Sequence, residues 1–125
     1  MGKTSFAALR DGSAEIQLFL NTNELGADTY EHILAVLDVG DIVSAGGPVF
    51  RTRTNEPSVR VQRLDMAAKA LRPLPEKWKG LQDPETRYRQ RYLDIITNEE
   101  SRKRFEARTG IVRAIRQTLD AKGFM

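Results

Sequence analysis

The sequence predicts a mainly β domain with one short α-helix, arranged as an OB-fold β-barrel without its first strand and followed by a linker and a long α-helix. Three observations lead to this fold class. Ile16, Leu18 and Leu20 occupy every second position of one segment, and the apolar residues that follow Asp28 have helical spacing. Pro73 and Pro75 then separate this region from a second helical pattern. The order strand, strand, helix, strand, strand is that of an OB-fold whose first strand is missing.

The first two strands are expected to form a β-hairpin. Residues 3–10 can be extended, residues 11–14 (DGSA) have turn chemistry, and residues 15–20 form the second strand. If the turn contains these four residues, the numbers of paired residues sum to 25. Phe6 then faces Phe19 on the opposite strand.

The same register places Ala8 opposite Gln17, on the sheet face that carries Phe6 and Phe19. An aromatic pair beside an amide on the outer face of an OB sheet is a base-recognising arrangement. The ring stacks on a base, and the amide forms hydrogen bonds with its polar edge. The alternative is an aromatic pair that only stabilises the sheet, and this pattern alone favours that alternative.

The middle of the chain is expected to contain one helix and one strand. Asp28 is a candidate N-cap with Glu31 three residues later, and the apolar face of the helix contains Tyr30, Ile33, Leu34 and Leu37. The single histidine, His32, falls on its exposed side. A strand is predicted from Asp41 to Arg51, with a bulge or bend at Gly46 and Gly47.

A loop is predicted over residues 52–58, because Asn55 tolerates turn geometry and Pro57 cannot join a central ladder. The last strand follows, with Val59, Val61 and Leu64 facing inward. In an OB-fold the loop between the last two strands borders the binding groove, so Glu56 is a candidate acceptor for a base N–H. An ordinary charged turn is the alternative, and without further information we prefer it.

Residues 72–75 (RPLP) form a stiff, extended linker. Asp83 is predicted to cap a helix that has Pro84 at its first position. A longer helix is predicted from about Asn98, with Glu99 and Glu100 at its start and Lys122 and Gly123 at its end. Its apolar stripe consists of Phe105, Val112, Ile115 and Leu119, with Ile111 beside it.

The composition excludes several classes of site. The chain has 125 residues, no cysteine and one histidine, so disulfides, thiolate metal sites and His-based zinc sites are excluded. The short phosphate-loop, dinucleotide and serine-hydrolase motifs are absent as well. We expect no catalytic residue, no metal site and no cofactor in this chain. With no long apolar run and no signal-peptide core, the sequence predicts a cytoplasmic protein.

The net charge of +3 is unevenly distributed. Residues 1–67 contain 6 basic and 9 acidic residues, whereas residues 68–125 contain 14 basic and 8 acidic residues. An acidic first half argues against indiscriminate phosphate binding, so any RNA binding there depends on stacking and hydrogen bonds. The candidates for contacts with the RNA backbone are Lys3, Arg51 and Arg53. The cluster of Arg87, Arg89 and Arg91 with Tyr88 and Tyr92 is an alternative RNA-binding patch, although a basic helix packed against a neighbouring domain or subunit is the preferred interpretation.

Several segments resemble bacterial-type lysyl-tRNA synthetases over nearly the whole chain. The most specific are ALRPLPEKWKGL and RYRQRYLD, at residues 70–81 and 87–94. The segment MGKTSFAALRDGSAEIQLFL is similar to the second and third strands of that family's anticodon-binding OB-fold, and VFRTRTNEPSVRV to its loop between strands four and five. The helix that ends in GFM resembles class II motif 1, which builds the homodimer interface.

The resemblance implies roles for individual residues. Phe6 falls on the family's stacking aromatic, Gln17 on its uridine-recognising amide and Glu56 on its loop glutamate, which together bind the lysine anticodon. Phe105, Val112, Ile115 and Leu119 fall on the dimer interface. The chain departs from the family at Asn55 and Pro57, where glycine and leucine are common, and it begins after the position of the family's first strand.

The resemblance also implies a domain organisation. Residues 1–68 would be the anticodon-binding OB-fold, incomplete at its N-terminus, residues 69–82 the linker, and residues 83–125 the start of the class II catalytic domain. We expect an N-terminal fragment of an enzyme that attaches lysine to tRNA with ATP and Mg²⁺, inactive by itself because motifs 2 and 3 are absent. A free-standing tRNA-binding module, an aspartyl-type synthetase fragment and a damaged coding sequence remain as alternatives.

Overall fold

The structure, a computed structural model, describes residues 3–75 and 80–125, which fall into two units divided between Pro73 and Leu74. The first unit contains six strands and two helices: β1 (Thr4–Arg10), β2 (Glu15–Asn21), α1 (Thr22–Leu25), α2 (Ala27–Val36), β3 (Ile42–Gly46), β4 (Val49–Arg51), β5 (Pro57–Arg60) and β6 (Arg63–Ala68). The second contains α3 (Pro84–Arg89), α4 (Arg91–Thr97) and α5 (Glu99–Ala121). Residues 76–79 of the predicted linker, and residues 1 and 2, lie outside the described residues.

The strands of the first unit form two sheets. One has the order β1-β2-β5-β4, with β2 and β5 parallel and the other neighbours antiparallel, and the second pairs β3 with β6. The sheet is not closed into a barrel among the described residues, since β1 and β4 are edge strands. The strand order confirms the OB-fold prediction.

The predicted strand from Asp41 to Arg51 is instead two strands, β3 and β4, which belong to different sheets. Gly47 and Pro48 connect them and lie against β5, where the Arg60 amide donates to the Pro48 carbonyl at 2.9 Å. A Cβ atom built on Gly47 would lie 1.9 Å from the Arg60 carbonyl oxygen. The chain can therefore change sheets here only because residue 47 has no side chain.

The hairpin register is the predicted one. Phe6 pairs with Phe19 and Ala8 with Gln17, and the Asp11 carboxylate accepts from the amides of Ser13 and Ala14 at 2.7 and 3.0 Å. The Ser13 hydroxyl also donates to this carboxylate at 2.7 Å, and together with the two amides it holds the pKa of Asp11 at about 2. The turn chemistry thus fixes which residues of β1 and β2 share a face.

The core of the first unit lies between the inner faces of the strands and α2. Its buried members are Leu18, Leu20, Tyr30, Ile33 and Val61. The Tyr30 hydroxyl is 2.7 Å from the Ser5 hydroxyl, so the one polar group among these side chains has a partner on β1. Burial of these side chains supplies the main favourable term for folding of this unit.

The start of α2 differs from the prediction. The sequence indicated Asp28 as the N-cap, but the N-cap is Gly26, which has φ of 79° and no side chain to form a capping bond. The unpredicted helix α1, capped by the Asn21 side chain, ends at this same glycine. Asp28 lies in the first turn of α2, where its carboxylate faces the positive end of the helix dipole.

Asp41 connects the start of β3 to the end of β6. Its carboxylate accepts from the Asp38 and Ala70 amides, both at 2.8 Å, and from the Lys69 ammonium at 2.9 Å. Its side chain is 1% exposed. These hydrogen bonds lower the pKa of Asp41 from 3.8 to about 2.

We expect Asp41→Asn to lower the melting temperature at neutral pH, because an amide group cannot accept all three hydrogen bonds. A lowered pKa in the folded state stabilises the fold fully above pH 3.8, and this contribution is lost as the pH falls through about 2. The melting temperatures of the wild type and the variant should therefore converge as the pH is lowered from 3.8 to about 2. Asp65→Asn, which removes an exposed ion pair to Arg63, is the matched control and should change little. A difference in melting temperature between wild type and Asp41→Asn that stays constant down to about pH 2 would contradict this account.

In the second unit the predicted cap of α3 is confirmed, whereas the cap of α5 was not predicted. The Asp83 side chain accepts from the Thr86 amide at 2.7 Å with Pro84 at the first helical position, and the Asn98 side chain caps α5 at the Ser101 amide. The separate helix α4 was not predicted. Asp94, on α4, is buried and accepts hydrogen bonds from Arg87 and Arg91 at 2.8 and 2.9 Å.

No helix in the described ranges is long and apolar enough to cross a membrane. Within residues 3–75 and 80–125, no group of three or more His, Cys, Asp or Glu side chains is placed to hold a metal ion.

Candidate nucleic-acid interface

The outer face of the four-stranded sheet, opposite the core, carries a row of aromatic side chains. Phe6 on β1 lies 5.4 Å from Phe19 on β2, measured between ring centroids, and Phe19 lies 5.6 Å from Phe50 on β4. Phe6 is 57% exposed, a large fraction for a phenylalanine. Exposed aromatic rings on a sheet face are the groups on which single-stranded bases stack.

A cation extends this aromatic row. The Arg60 guanidinium lies 4.9 Å from the centroid of the Phe50 ring. In the parallel pairing of β2 with β5, Arg60 lies opposite Phe19. Its nearest carboxylate oxygen belongs to Glu24 at 3.8 Å. Arg60 therefore adds a positive charge to the outer face of a unit whose sequence is acidic overall.

Gln17 lies in the neighbouring cross-strand row. It pairs in register with Ser58 on β5, which in turn pairs with Phe50 on β4. The Ser58 hydroxyl oxygen is 3.3 Å from Gln17 Oε1, and Ser58 is fully buried. Gln17 itself is half-buried and lies on the same sheet face as Phe6, diagonally across the β1–β2 pair.

The loop between β4 and β5 is shorter than predicted. It contains residues 52–56, because β5 begins at Pro57. Pro57 is the first residue of its strand and pairs with Arg51, the position in a ladder where a missing N–H is tolerated. The prediction that residues 57 and 58 belong to the loop was wrong.

Local hydrogen bonds fix the shape of this loop. The Thr52 amide donates to the Glu56 carbonyl at 3.0 Å, and the Glu56 amide donates to the Thr52 hydroxyl at 3.0 Å. Asn55 has φ of 65°, a left-handed conformation that asparagine adopts more readily than most residues. The Glu56 side chain is left exposed at the end of the sheet that carries Gln17 and Ser58.

The three residues predicted to contact the RNA backbone have different surroundings. Arg51 donates to the Asn55 carbonyl at 3.0 Å, so it supports the loop. Arg53 and Lys3 are exposed. Arg60 was not predicted, although alternation along β5 from Ser58 would have placed it on the outer face. The same argument applied to β4 would have identified Phe50.

The arginine cluster of the second unit is engaged in ion pairs. Arg87 and Arg91 both bind Asp94, and Arg89 binds Glu85 at 2.8 Å. Burial alone would raise the pKa of Asp94, but hydrogen bonds from Arg87, Ser101 and Arg91 outweigh burial and lower it. Arg87 and Arg91 thus hold α3, α4 and α5 together within this unit, so their charges are already engaged by protein groups. This argues against an RNA-binding patch here.

Helix α5 has an apolar stripe that is uncovered in its second half. Val112, Ile115 and Leu119 are about half exposed, as is Ile111 beside them. Phe105 is half-buried, with the Arg91 guanidinium 5.1 Å from its ring centroid. The stripe predicted from the sequence therefore exists, and its first member packs within the unit.

Comparison with known proteins agrees with this description of the first unit. Residues 1–67 match the family described as OB-fold nucleic acid binding domain. The chain belongs to this family. Residues 83–125 match a second family, the class II tRNA synthetases (D, K and N). The two matched regions follow one another as the resemblance implied.

The chain is also similar to curated lysine–tRNA ligases over its entire length. It is 54% identical to that of Xylella fastidiosa, 49% to that of Dehalococcoides mccartyi and 48% to that of Pelotomaculum thermopropionicum. The 125 aligned residues cover 24 or 25% of each relative. The chain thus spans about a quarter of the length of these relatives and is homologous to their N-terminal region.

Proposed function

We propose that this chain binds the anticodon of lysine tRNA on the outer face of the sheet formed by β1, β2, β5 and β4. The observation that carries the proposal is that the exposed Phe6 shares a sheet face with Gln17, in the register that the hairpin turn imposes. The similarity to lysine–tRNA ligases supports the choice of lysine tRNA among RNA ligands.

Each residue has a distinct role in this proposal. Phe6 stacks on an anticodon base, and Gln17 forms hydrogen bonds with the polar edge of the central uridine. Glu56 accepts a hydrogen bond from a base N–H at the edge of the sheet. Lys3, Arg53 and the newly identified Arg60 contact the RNA backbone, while Arg51 stabilises the loop that presents Glu56.

The remaining parts of the proposal concern the longer protein. We assign residues 1–68 to the anticodon-binding domain, 69–82 to the linker and 83–125 to the class II domain. The longer protein would attach lysine to tRNA in the cytoplasm, using ATP and Mg²⁺. Phe105, Val112, Ile115 and Leu119 would contribute to its homodimer interface, because an exposed apolar stripe is stabilised when a second copy covers it.

A fluorescence-anisotropy titration tests the proposal. The ligands are two anticodon stem-loops that differ only in the central base, UUU and UCU, at one fixed salt concentration. We expect tighter binding of UUU by roughly tenfold or more, since one well-formed base contact discriminates by about 1–3 kcal/mol. Equal binding of both loops would favour a module without base preference. A third stem-loop that carries an aspartate anticodon tests the aspartyl-type alternative, which tighter binding of that loop than of UUU would favour.

A further inference from the structure

Ser58 is a buried polar residue to which the proposed function gives no role. It lies next to Gln17 on the parallel strand, and its relative exposure is 0%. The Ser58 hydroxyl oxygen is 3.3 Å from Gln17 Oε1 and 3.3 Å from the Glu56 carbonyl oxygen. Both neighbouring atoms are acceptors, so the single hydroxyl proton can be donated to only one of them at a time.

The Glu56 carbonyl already has another donor, whereas Gln17 Oε1 does not. The Thr52 amide donates to the Glu56 carbonyl at 3.0 Å. Among the described residues, Ser58 is the donor available to Gln17 Oε1, and the Gln17 amide nitrogen has no protein partner. Donation of the Ser58 proton to Gln17 Oε1 satisfies both acceptors, and in this arrangement the amide oxygen faces inward and the amide N–H groups are free to donate.

We propose that Ser58 is a positioning residue that fixes the orientation of the Gln17 amide and thereby makes the site select uridine over cytidine. The inference rests on the proposed function, since it assumes that Gln17 recognises a base. Uridine has a carbonyl oxygen at position 4, which accepts a hydrogen bond, whereas cytidine has an amino group there, which donates one. An amide that offers only N–H groups matches uridine and opposes the cytidine amino group.

Loss of the Ser58 hydroxyl has a specific consequence in this account. The Gln17 amide would be free to turn over and to accept a hydrogen bond from the cytidine amino group. Discrimination between the two bases should then fall, while stacking on Phe6 and the backbone contacts remain. A residue with a purely structural role would weaken binding of both ligands equally.

The test compares wild type and Ser58→Ala with the UUU and UCU stem-loops at one salt concentration. We expect affinity for UUU to fall by no more than about threefold and the UUU-to-UCU affinity ratio to fall by about fivefold or more. A thermal melt of each protein verifies folding. A wild-type preference for UUU that Ser58→Ala retains in full would contradict this inference alone, whereas equal binding by the wild type would contradict the proposed function as well.

Gln17→Glu provides a second test in which Ser58 itself is unchanged. Its carboxylate still accepts from Ser58 but has no N–H group to offer to a base. We expect the preference to reverse towards UCU, because the free carboxylate oxygen accepts from the cytidine amino group. Retained preference for UUU in this variant would show that the Gln17 amide is not the donor and would overturn the inference even if Ser58→Ala failed to fold.

Discussion

Gly47→Ala is expected to destabilise the first unit by about 3 kcal/mol, the upper part of the range typical of overpacked sites. The added Cβ would lie 1.9 Å from the Arg60 carbonyl oxygen and 3.2 Å from the Gln62 amide nitrogen. Two backbone hydrogen bonds flank this contact, from Arg60 to Pro48 and from Gln62 to Gly46, so β5 cannot move away without losing them. Chemical denaturation of wild type and variant measures the difference.

Gly46→Ala is the matched control for this prediction. A Cβ atom on Gly46 would meet no atom within 4 Å, although the residue is adjacent in sequence and belongs to β3. Its expected change in the free energy of unfolding is within about 0.5 kcal/mol. Equal stability of the two variants would mean that the chain does not cross between the sheets as described.

Phe6→Ala is expected to weaken binding of the UUU stem-loop by about 1–3 kcal/mol, roughly five- to 150-fold. Phe6 is the most exposed ring of the aromatic row, so it offers the most surface to a base. Because stacking is tolerant of base identity, binding of UCU should weaken by a similar factor. Anisotropy titrations under matched salt conditions give both values.

The control for Phe6→Ala is Val39→Ala, which removes an apolar side chain that is 83% exposed and lies outside the sheets. Its affinity for both stem-loops should equal that of the wild type. Loss of the cross-strand contact with Phe19 should cost Phe6→Ala no more than about 1 kcal/mol of stability, so the variant should remain folded. Unchanged affinity of a folded Phe6→Ala protein would remove the stacking role from the proposal.

The hairpin and its outer face could be predicted from the sequence because both depend on local rules. Turn residues 11–14 set the register, and a period of two along each strand then determines the face of Phe6 and Gln17. The cap at Asp83 was predicted for a similar reason, since a capping side chain acts only three residues along the chain.

The rest of the site depends on contacts between distant segments. Ser58 is 41 residues from Gln17 in sequence, and their proximity follows from the parallel pairing of β2 with β5, for which the sequence has no local signal. Phe50 and Arg60 were missed because the break at Gly47 and the start of β5 at Pro57 shifted the expected strand limits. Strand limits are set by tertiary packing, which outweighs local propensity.

The most direct test of the central claim is a nuclear magnetic resonance titration of this isotope-labelled chain with the UUU stem-loop. The account predicts that backbone amide signals shift around Phe6 and Gln17, in residues 52–56 and along β5, with little change in α3 and α4. Shifts confined to the arginine-rich helices α3 and α4, with the β1–β2 hairpin unchanged, would contradict it and would locate RNA binding in the second unit.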